Sequence, residues 1–545
     1  MSSAAPRFSV VTPVYETPAF LLEECIASVE GQTTPDWELL LIDDGSTAPH
    51  VHAILDAAAA RDARIRVVKR AQNGGIVAAS NDAVALARGE FLALLDHDDL
   101  LHPDALAACG DVIAHDVDYV YSDSDLIDED GNHSEAFYKP GWSPDRFRCQ
   151  MYTNHLGILR RSLVERVGGF RAGFEGSQDF DLVFRCVEQA RRVVHVPRVL
   201  YHWRITEQSV NASPEAKPYA WIAGRRAIAA HLERTGFEAT VEEDMAIPGL
   251  YRLRPALRET PMVSIVIPTG GGRKEVAGEV VLLAERCIAS ITGLSTYQDF
   301  EIVLVVDDHV DGDDVQRMVD AGDERLRVIP YRRPFNFSDK CNVGVVHSRG
   351  EHVLLLNDDT DVLTHDWLEH LVMYSRVDEI GAVGARLHFG DGRLQHVGLG
   401  ALPGIAFGHF YRGFPGDHPT YYGMADLPGN FLGVTGACLM SRREVYDEVG
   451  GLCTDLPGAY NDVDYCLKVL DAGYRITYSP GARLRHHESA SRVAEVQQWE
   501  RDTLERRWWR WREGDPYYNR NFRQDSLDFV RPRMLRDGSV VSNGR

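Results

Sequence analysis

Three things are scarce in this 545-residue chain: paired cysteines, basic charge and long apolar runs. The nine cysteines (Cys25, Cys109, Cys149, Cys186, Cys287, Cys341, Cys438, Cys453 and Cys466) are odd in number, and none forms a C-x-x-C pair. A disulfide framework and a zinc ribbon are both disfavoured by that count. Most of these cysteines sit inside apolar runs, where a thiol behaves as a small hydrophobe. Such usage fits a reducing compartment. Lys and Arg number 58 against 81 Asp and Glu, a net charge of −23. Duplex-binding proteins carry a basic face, so nucleic acid is not an expected partner. No apolar stretch approaches the ~20 residues of a membrane span. The opening MSSAAPRFSVVTPVYE enters a strand pattern at once, so no signal peptide is expected. The expected location is cytoplasmic, with peripheral membrane contact left open. Two nucleotide signatures are also missing. No G-x-G-x-x-G follows the first strand and no G-x-x-x-x-G-K-[ST] occurs, which removes most support for a dehydrogenase or a P-loop NTPase.

What is present is a tandem repeat. FSVVTPVYE at 8–16 matches VSIVIPTG at 263–270, and WELLLIDDGS at 37–46 matches FEIVLVVDDH at 300–309. Fifteen positions separate Asn81 from Asp96, and fifteen separate Asn342 from Asn357. Between them, Arg88-Gly89-Glu90 and Arg349-Gly350-Glu351 fall at matching places. Later, QDFDL at 178–182 pairs with NDVDY at 461–465. A histidine follows each leading acid, after 23 residues (Asp179 to His202) and after 24 (Asp462 to His486). The boundaries read from these registers are 1–210 and 261–500, with a helix and strand connector at 211–260 and a C-terminal helix and tail at 501–545. Residues 218–236 carry helical spacing, and 238–254 read as one or two strands.

Within the first repeat, strands are expected at 8–12, 38–42, 65–69 and 91–95, alternating with helices at 19–32, 50–61 and 75–87. That alternation is α/β with a mostly parallel sheet. Ligands bind such sheets at the carboxyl ends of the strands, and the acids cluster there. Asp43-Asp44 and Asp307-Asp308 follow the second strands and could accept hydrogen bonds from a nucleobase or a ribose. FLALLDHDDLLHP at 91–103 drives an apolar strand straight into three acids, and LLLNDDTDVLTHD at 354–366 repeats it. Strand alternation aims Asp96 and Asp98 the same way, and a carboxylate pair attracts a hard divalent cation. The second copy keeps the last acid and replaces the first by Asn357. Asp98 and Asp359 are therefore the expected metal ligands, while Asp96 and Asn357 could bond a sugar hydroxyl. Helix capping by Asp98 or Asp99 is the alternative. Asp179 and Asp462 open helical segments, where they could cap the helix or act as general base. His202 and His486 recur, so each is either structural or an imidazole ligand, which suits Mn²⁺ somewhat better than Mg²⁺.

Taken together, TPVYE, LLIDDGS, NGGIVAASNDAVALARGEFLALLDHDD, SQDFDL and YHWR resemble the family 2 glycosyltransferases with the GT-A fold. VSIVIPT, PFNFSDKCNVGVVHSRGEHVLLLNDDTDV, YNDVDYCLKVLDAGYRI and HHESAS repeat the series in the second half. The tandem arrangement is similar to bacterial enzymes of surface-polysaccharide assembly, many of them rhamnosyltransferases. The resemblance implies two GT-A domains, a nucleotide-diphosphate sugar donor, a glycan or lipid-linked glycan acceptor, and Mn²⁺ or Mg²⁺. It places Pro13, Tyr15, Glu16, Asp43, Asp44, Asn81 and Asp96 at the first nucleotide-sugar site, and Pro268, Asp307, Asp308, Asn342 and Asn357 at the second. It makes Asp98 with His202, and Asp359 with His486, the metal ligands, and Asp179 and Asp462 the bases. The donor suggested by the family is dTDP-L-rhamnose, with UDP-hexoses and UDP-galactofuranose as alternatives. Competing readings keep catalysis in one half, with the other an acceptor platform, or make the whole a carbohydrate-binding scaffold. ERRWWRWRE at 505–513 is expected to pack its tryptophans on the second domain, with a membrane surface the alternative.

Overall fold

The computed structural model describes residues 5–205, 218–243, 247, 249–276, 278–403, 405–488 and 496–531. The chain forms two compact units. Unit 1 comprises 1–142, 147–236 and 241–253, and unit 2 comprises 143–146, 237–240 and 254–545. The boundary expected at 210 lies outside the described residues.

Unit 1 is built on strands β1 (Phe8–Val14), β2 (Trp37–Asp43), β3 (Ile65–Lys69), β4 (Phe91–Leu94), β5 (Leu100–Leu101), β6 (Tyr119–Ile127), β7 (His133–Phe137), β8 (Gly157–Arg160) and β9 (Val193–Arg204). The sheet runs β3-β2-β1-β4-β8-β6-β9-β5, with β7 pairing on β6. β1 to β4 are mutually parallel, Phe8 standing opposite both Trp37 and Phe91. The chain alternates between these strands and helices α1 (Ala19–Glu30), α2 (Pro49–Arg61) and α3 (Ile76–Leu86). Each helix buries one stripe; in α1 it is Leu21, Leu22, Cys25, Ile26 and Val29. Leu22, Cys25, Ile26 and Val29 meet Phe8, Val10, Trp37, Leu39, Leu41 and Phe91 in one core. Each fully buried large aliphatic residue there is worth roughly 1.5–3 kcal/mol. Helix α4 (Gln178–Val187) precedes β9, and α5 (Pro218–Thr235) lies against α4. His231 stacks on Phe184 at 4.3 Å and pairs with Glu188 at 2.7 Å, so the expected connector helix belongs to unit 1.

Unit 2 repeats the plan with β10 (Val263–Thr269), β11 (Phe300–Asp307), β12 (Leu326–Tyr331), β13 (His352–Leu356), β14 (Thr360–Val362), β15 (Ile380–His388), β16 (Cys438–Arg442) and β17 (Arg475–His486). Their order is β12-β11-β10-β13-β16-β15-β17-β14, position for position that of unit 1. Helices α6 (Phe337–Val346) and α7 (Asn461–Asp471) answer to α3 and α4. The C-terminal helix α8 (Gln498–Trp508) packs Leu504 and Trp508 on Val463 and Leu467 of α7. Of the arginine–tryptophan segment, Trp508 is buried while Trp509 is 64% exposed, so the expected packing holds for part of it. Phe410 and Tyr411 are core residues against Tyr518 and Phe529.

The R-G-E signature of each repeat is a clamp at the amino end of the central strands. Ser9 Oγ donates to Glu38 Oε1 at 2.7 Å, Arg88 N donates to the same oxygen at 2.7 Å, and Gly89 N donates to Ser9 Oγ at 2.9 Å. A Cβ on Gly89 would lie 2.6 Å from Ser9 N, so only glycine fits. Ser264, Glu301, Arg349 and Gly350 repeat every bond. All nine cysteines are free thiols, eight of them buried. Among the described residues no helix is long and apolar enough to cross a membrane.

Candidate functional site

The carboxyl ends of β1, β2 and β4 converge in unit 1. Pro13, Tyr15, Asp44, Ala79 and His97 line a cavity of about 180 Å³ there. Asp44 accepts from Arg70 at 2.6 Å and from the backbone N–H of Gly74 (2.9 Å) and Gly75 (2.7 Å). Those bonds fix the carboxylate on the cavity wall. Gly45 makes the turn beyond it: its φ is +76°, and a Cβ would meet Asn73 N at 2.7 Å.

Four expected donor contacts make other bonds. Asp43 accepts from Ser46 N at 2.9 Å and pairs with His52 at 3.2 Å, which ties down its own turn. Glu16 Oε1 accepts from Thr47 N (2.6 Å) and Thr47 Oγ1 (2.9 Å), and these bonds hold its carboxyl below the usual range. Asn81 exchanges both amide atoms with the backbone of Phe170, at 2.9 Å each way. Asn342 does the same with Leu452. Both amides latch the Gly-Gly turn that follows, so neither is available to a donor.

Asp96 and Asp98 stand where β4 ends, with side chains 43% and 34% exposed. Asp99 between the strands is buried and spent on Tyr201 Oη (2.5 Å) and Arg204 N (2.8 Å). Burial first, then the charges of Asp96 and Asp98, push Asp99 well above the usual carboxyl range. The two exposed carboxylates, Asp96 and Asp98, fit a divalent cation by the chemistry of the donor set. Asp179 opens α4 facing this cluster. Asn154 Nδ2 donates to it at 3.3 Å. Burial, then the charge of Asp96, raises it from 3.8 to about 7 against that hydrogen bond. Asp181, two residues on, points away into ion pairs with Arg171 and with Arg185 at 2.8 Å. One acid of the D-x-D faces the cleft and the other anchors the helix.

The structure moves His202 out of this group. In β9 the side chains alternate. Tyr201 and Trp203 pack on His155 (centroids 4.8 and 5.6 Å), which lies 3.9 Å from Asp96. His202, on the other face, pairs instead with Asp125 Oδ1 at 2.6 Å. Sheet register gives the reason. His202 stands opposite Leu100, the second residue after Asp98, whereas His486 stands opposite Thr360, the first residue after Asp359. Trp203, not His202, is the counterpart of His486, and a one-residue step flips the face.

In unit 2 the expected pair does meet. His486 Nε2 lies 3.0 Å from Asp359 Oδ1 and 3.2 Å from Asn357 Nδ2, while its Nδ1 lies 2.7 Å from Gln395 Oε1. Burial pushes Asp359 up, but His486 outweighs it and the carboxyl sits below its ordinary value. Asn357 Oδ1 is buried with no hydrogen-bond partner among the described residues, which suits a ligand atom. His486 and His487 border a cleft of about 420 Å³ with Lys274 and Arg393. Asp462 takes the place of Asp179 on α7, but accepts from backbone, Gly436 N at 2.9 Å. Burial raises it against that bond. Asp464 mirrors Asp181, bound by Trp508 Nε1 at 2.8 Å and Arg507 at 3.1 Å.

The nucleotide side of unit 2 differs. Register aligns Asp307 with Asp44 and exposed Asp308 with Gly45. Pro268 is buried in β10. Where unit 1 has Ala79, α6 carries Lys340, 3% exposed, whose Nζ lies 2.7 Å from Asp307. Sequence reasoning missed Asn154, His155, Gln395 and Lys340. Each lacks a like residue in the other copy, so the repeat that exposed the acids could not expose them.

The model of glycosyl transferase family 2 matches residues 9–168, and that of glycosyltransferase-like family 2 matches residues 261–511. An uncharacterized protein, y4gI, of Sinorhizobium fredii is 43% identical over 96% of this chain and 58% of its own length. The O-antigen biosynthesis protein RfbC of Myxococcus xanthus is 35% identical over 99% of this chain and 42% of its own. Chondroitin synthase of Escherichia coli is 30% identical over 36% of this chain and 29% of its own. The chain thus spans about half the length of the first two relatives. With one family model on each half and the same strand order in both, the chain belongs to glycosyltransferase family 2 as a tandem pair of its GT-A domains.

Proposed function

We propose that each unit moves a sugar from a nucleotide-diphosphate donor to a hydroxyl of a growing bacterial surface glycan, by single displacement with inversion. The observation that carries this is the split role of the helix acids. Asp181 and Asp464 are locked in ion pairs and side-chain bonds, while among the described residues Asp179 accepts only from Asn154 and Asp462 from Gly436 N, Val463 N and Thr435, both with raised pKa values. A carboxylate whose pKa is raised accepts a proton more readily as the acceptor oxygen attacks. In unit 1 the about 180 Å³ cavity and Asp44 would take the nucleotide base, and Asp96 the sugar. Asp96 with Asp98 would hold Mn²⁺ or Mg²⁺ in unit 1, and Asp359, His486 and Asn357 Oδ1 in unit 2. Such a cation, when bound, offsets charge on the leaving diphosphate. Lys274 and Arg393 add positive charge beside the unit 2 cleft. The RfbC relative supports surface polysaccharide as the destination. dTDP-L-rhamnose is the first donor to test, then UDP-hexoses and UDP-galactofuranose. The proposed place of work is the cytoplasm, at the inner face of the membrane.

A second reading is favoured by Lys340. It fills in unit 2 the position that Ala79 leaves open in unit 1, which would make unit 2 an acceptor platform. Separate Asp179→Asn and Asp462→Asn variants, assayed for nucleoside-diphosphate release and for product length, decide between them. Loss of one sugar addition in each variant supports two active units. Full activity in Asp462→Asn supports the platform, and full activity in both sinks the proposal.

A further inference from the structure

We propose that unit 1 carries a Zn²⁺ site, separate from the donor cleft, formed by Asp125, His133 and His202. Asp125 ends β6, His133 begins β7 and His202 lies near the end of β9. Asp125 Oδ1 is 2.6 Å from His202 Nδ1 and its Oδ2 is 3.0 Å from His133 Nδ1. All three donor atoms lie within 4.8 Å of one another. The two imidazole rings meet edge to face, centroids 4.5 Å apart at 77°. Two ring nitrogens and a carboxylate oxygen therefore converge on one point from three strands.

The sheet fixes this convergence. β6 and β9 are parallel with Asp125 directly opposite His202, so both side chains leave the same face. The β6–β7 hairpin returns His133 opposite Ile127. Its turn is stiffened by Asp128, which accepts from Asp130 N at 3.0 Å and Asn132 N at 2.8 Å. The three donors already face one another, and binding an ion would replace their mutual hydrogen bonds. The opposite face of β9 carries Tyr201 and Trp203 toward His155 and Asp96, so the cluster is not part of the cleft.

The donor chemistry selects the cation. Two imidazoles with one carboxylate suit Zn²⁺, which takes four ligands and would keep one position for water. Mg²⁺ prefers all-oxygen shells and is disfavoured by two nitrogens. Each imidazole must give up its Nδ1 proton, so binding weakens as pH falls through the histidine range. The bound ion would fasten the β7 hairpin to β9. This inference is independent of the sugar-transfer reading.

The test uses the full chain, stripped with chelator and kept in excess Mg²⁺ to occupy oxygen-rich sites. Zn²⁺ affinity and stoichiometry are measured by competition with a chromophoric chelator, for the wild type and for His133→Ala and Asp125→Asn. His133 is exposed, so its removal leaves the core intact. We expect one Zn²⁺ per wild-type chain that either substitution weakens by more than about 100-fold, beyond the cost of an outer-sphere change. Co²⁺ at the site should show d–d bands without thiolate charge transfer. Zn²⁺ should raise the melting temperature of the wild type and not of His133→Ala. Equal affinity in wild type and both variants overturns the proposal. So does a wild-type chain that takes up no Zn²⁺, which would leave a hydrogen-bonded His–Asp–His cluster only.

Discussion

Replacing Asp179 by Asn should slow the enzyme and stabilise the protein, and the two effects should follow different pH profiles. Burial pushes the carboxyl up to about 7 in the folded chain, against an ordinary 3.8. Below pH 3.8 it is protonated in both states and affects neither. Between about 4 and 7 the folded state holds a proton that the unfolded state has lost, so stability falls as pH rises. Above pH 7 the cost is complete. Roughly 3 pH units at about 1.4 kcal/mol each set a ceiling near 4 kcal/mol. Asp179 is half-buried rather than sealed, so solvent screening reduces this to about 1–2 kcal/mol. Asn carries no charge and avoids the cost. Thermal melts should therefore show Asp179→Asn more stable than the wild type at pH 8 and equal to it at pH 4. Loss of a general base costs about 10²–10⁴-fold in rate. In the wild type, kcat/KM for the unit 1 step should rise with pH and level off above about 7. A variant that keeps its rate, or that is less stable than wild type at pH 8, refutes the assignment.

Two further outcomes follow from bonds in unit 2. Trp508→Phe keeps the packing but removes the donor to Asp464, and should cost about 1–3 kcal/mol in chemical denaturation. Trp508→Ala should cost about 3–5 kcal/mol, and a Trp508→Phe cost below about 0.5 kcal/mol would show that the indole N–H does nothing. A double-mutant cycle over Lys340→Met and Asp307→Asn should give a coupling of about 1–3 kcal/mol, and a value below about 0.5 would mean the pair is not formed in solution.

The sequence made the frame legible because both period and spacing are local. Buried strands read as unbroken apolar runs, and the fifteen-residue interval from Asn81 to Asp96 recurs at Asn342 to Asn357 because α3–β4 and α6–β13 are the same unit. Asp179 and Asp462 stood out for the same reason. Function was harder to separate from scaffolding. Asp43, Asn81 and Asn342 recur or sit at strand ends because turns need them, and only their partners (Ser46, Phe170 and Leu452) show this. A count of 23 set beside one of 24 points to His202 as the counterpart of His486. Trp203 is the residue 24 after Asp179, and the single-residue difference was the register step itself. Asn154 escaped because a backbone N–H, Gly436, replaces it in the other half.

The Ser–Glu–Arg–Gly latch under each sheet has a consequence for engineering. It lies at the end of the strands remote from the acids, and it is built from the same four residue types in both halves. The two halves are thus interchangeable chassis carrying different working faces. Loops beyond the carboxyl ends of β10, β11 and β13 can be grafted onto β1, β2 and β4 strand for strand, with the splice points set by a shared foundation rather than by overall similarity.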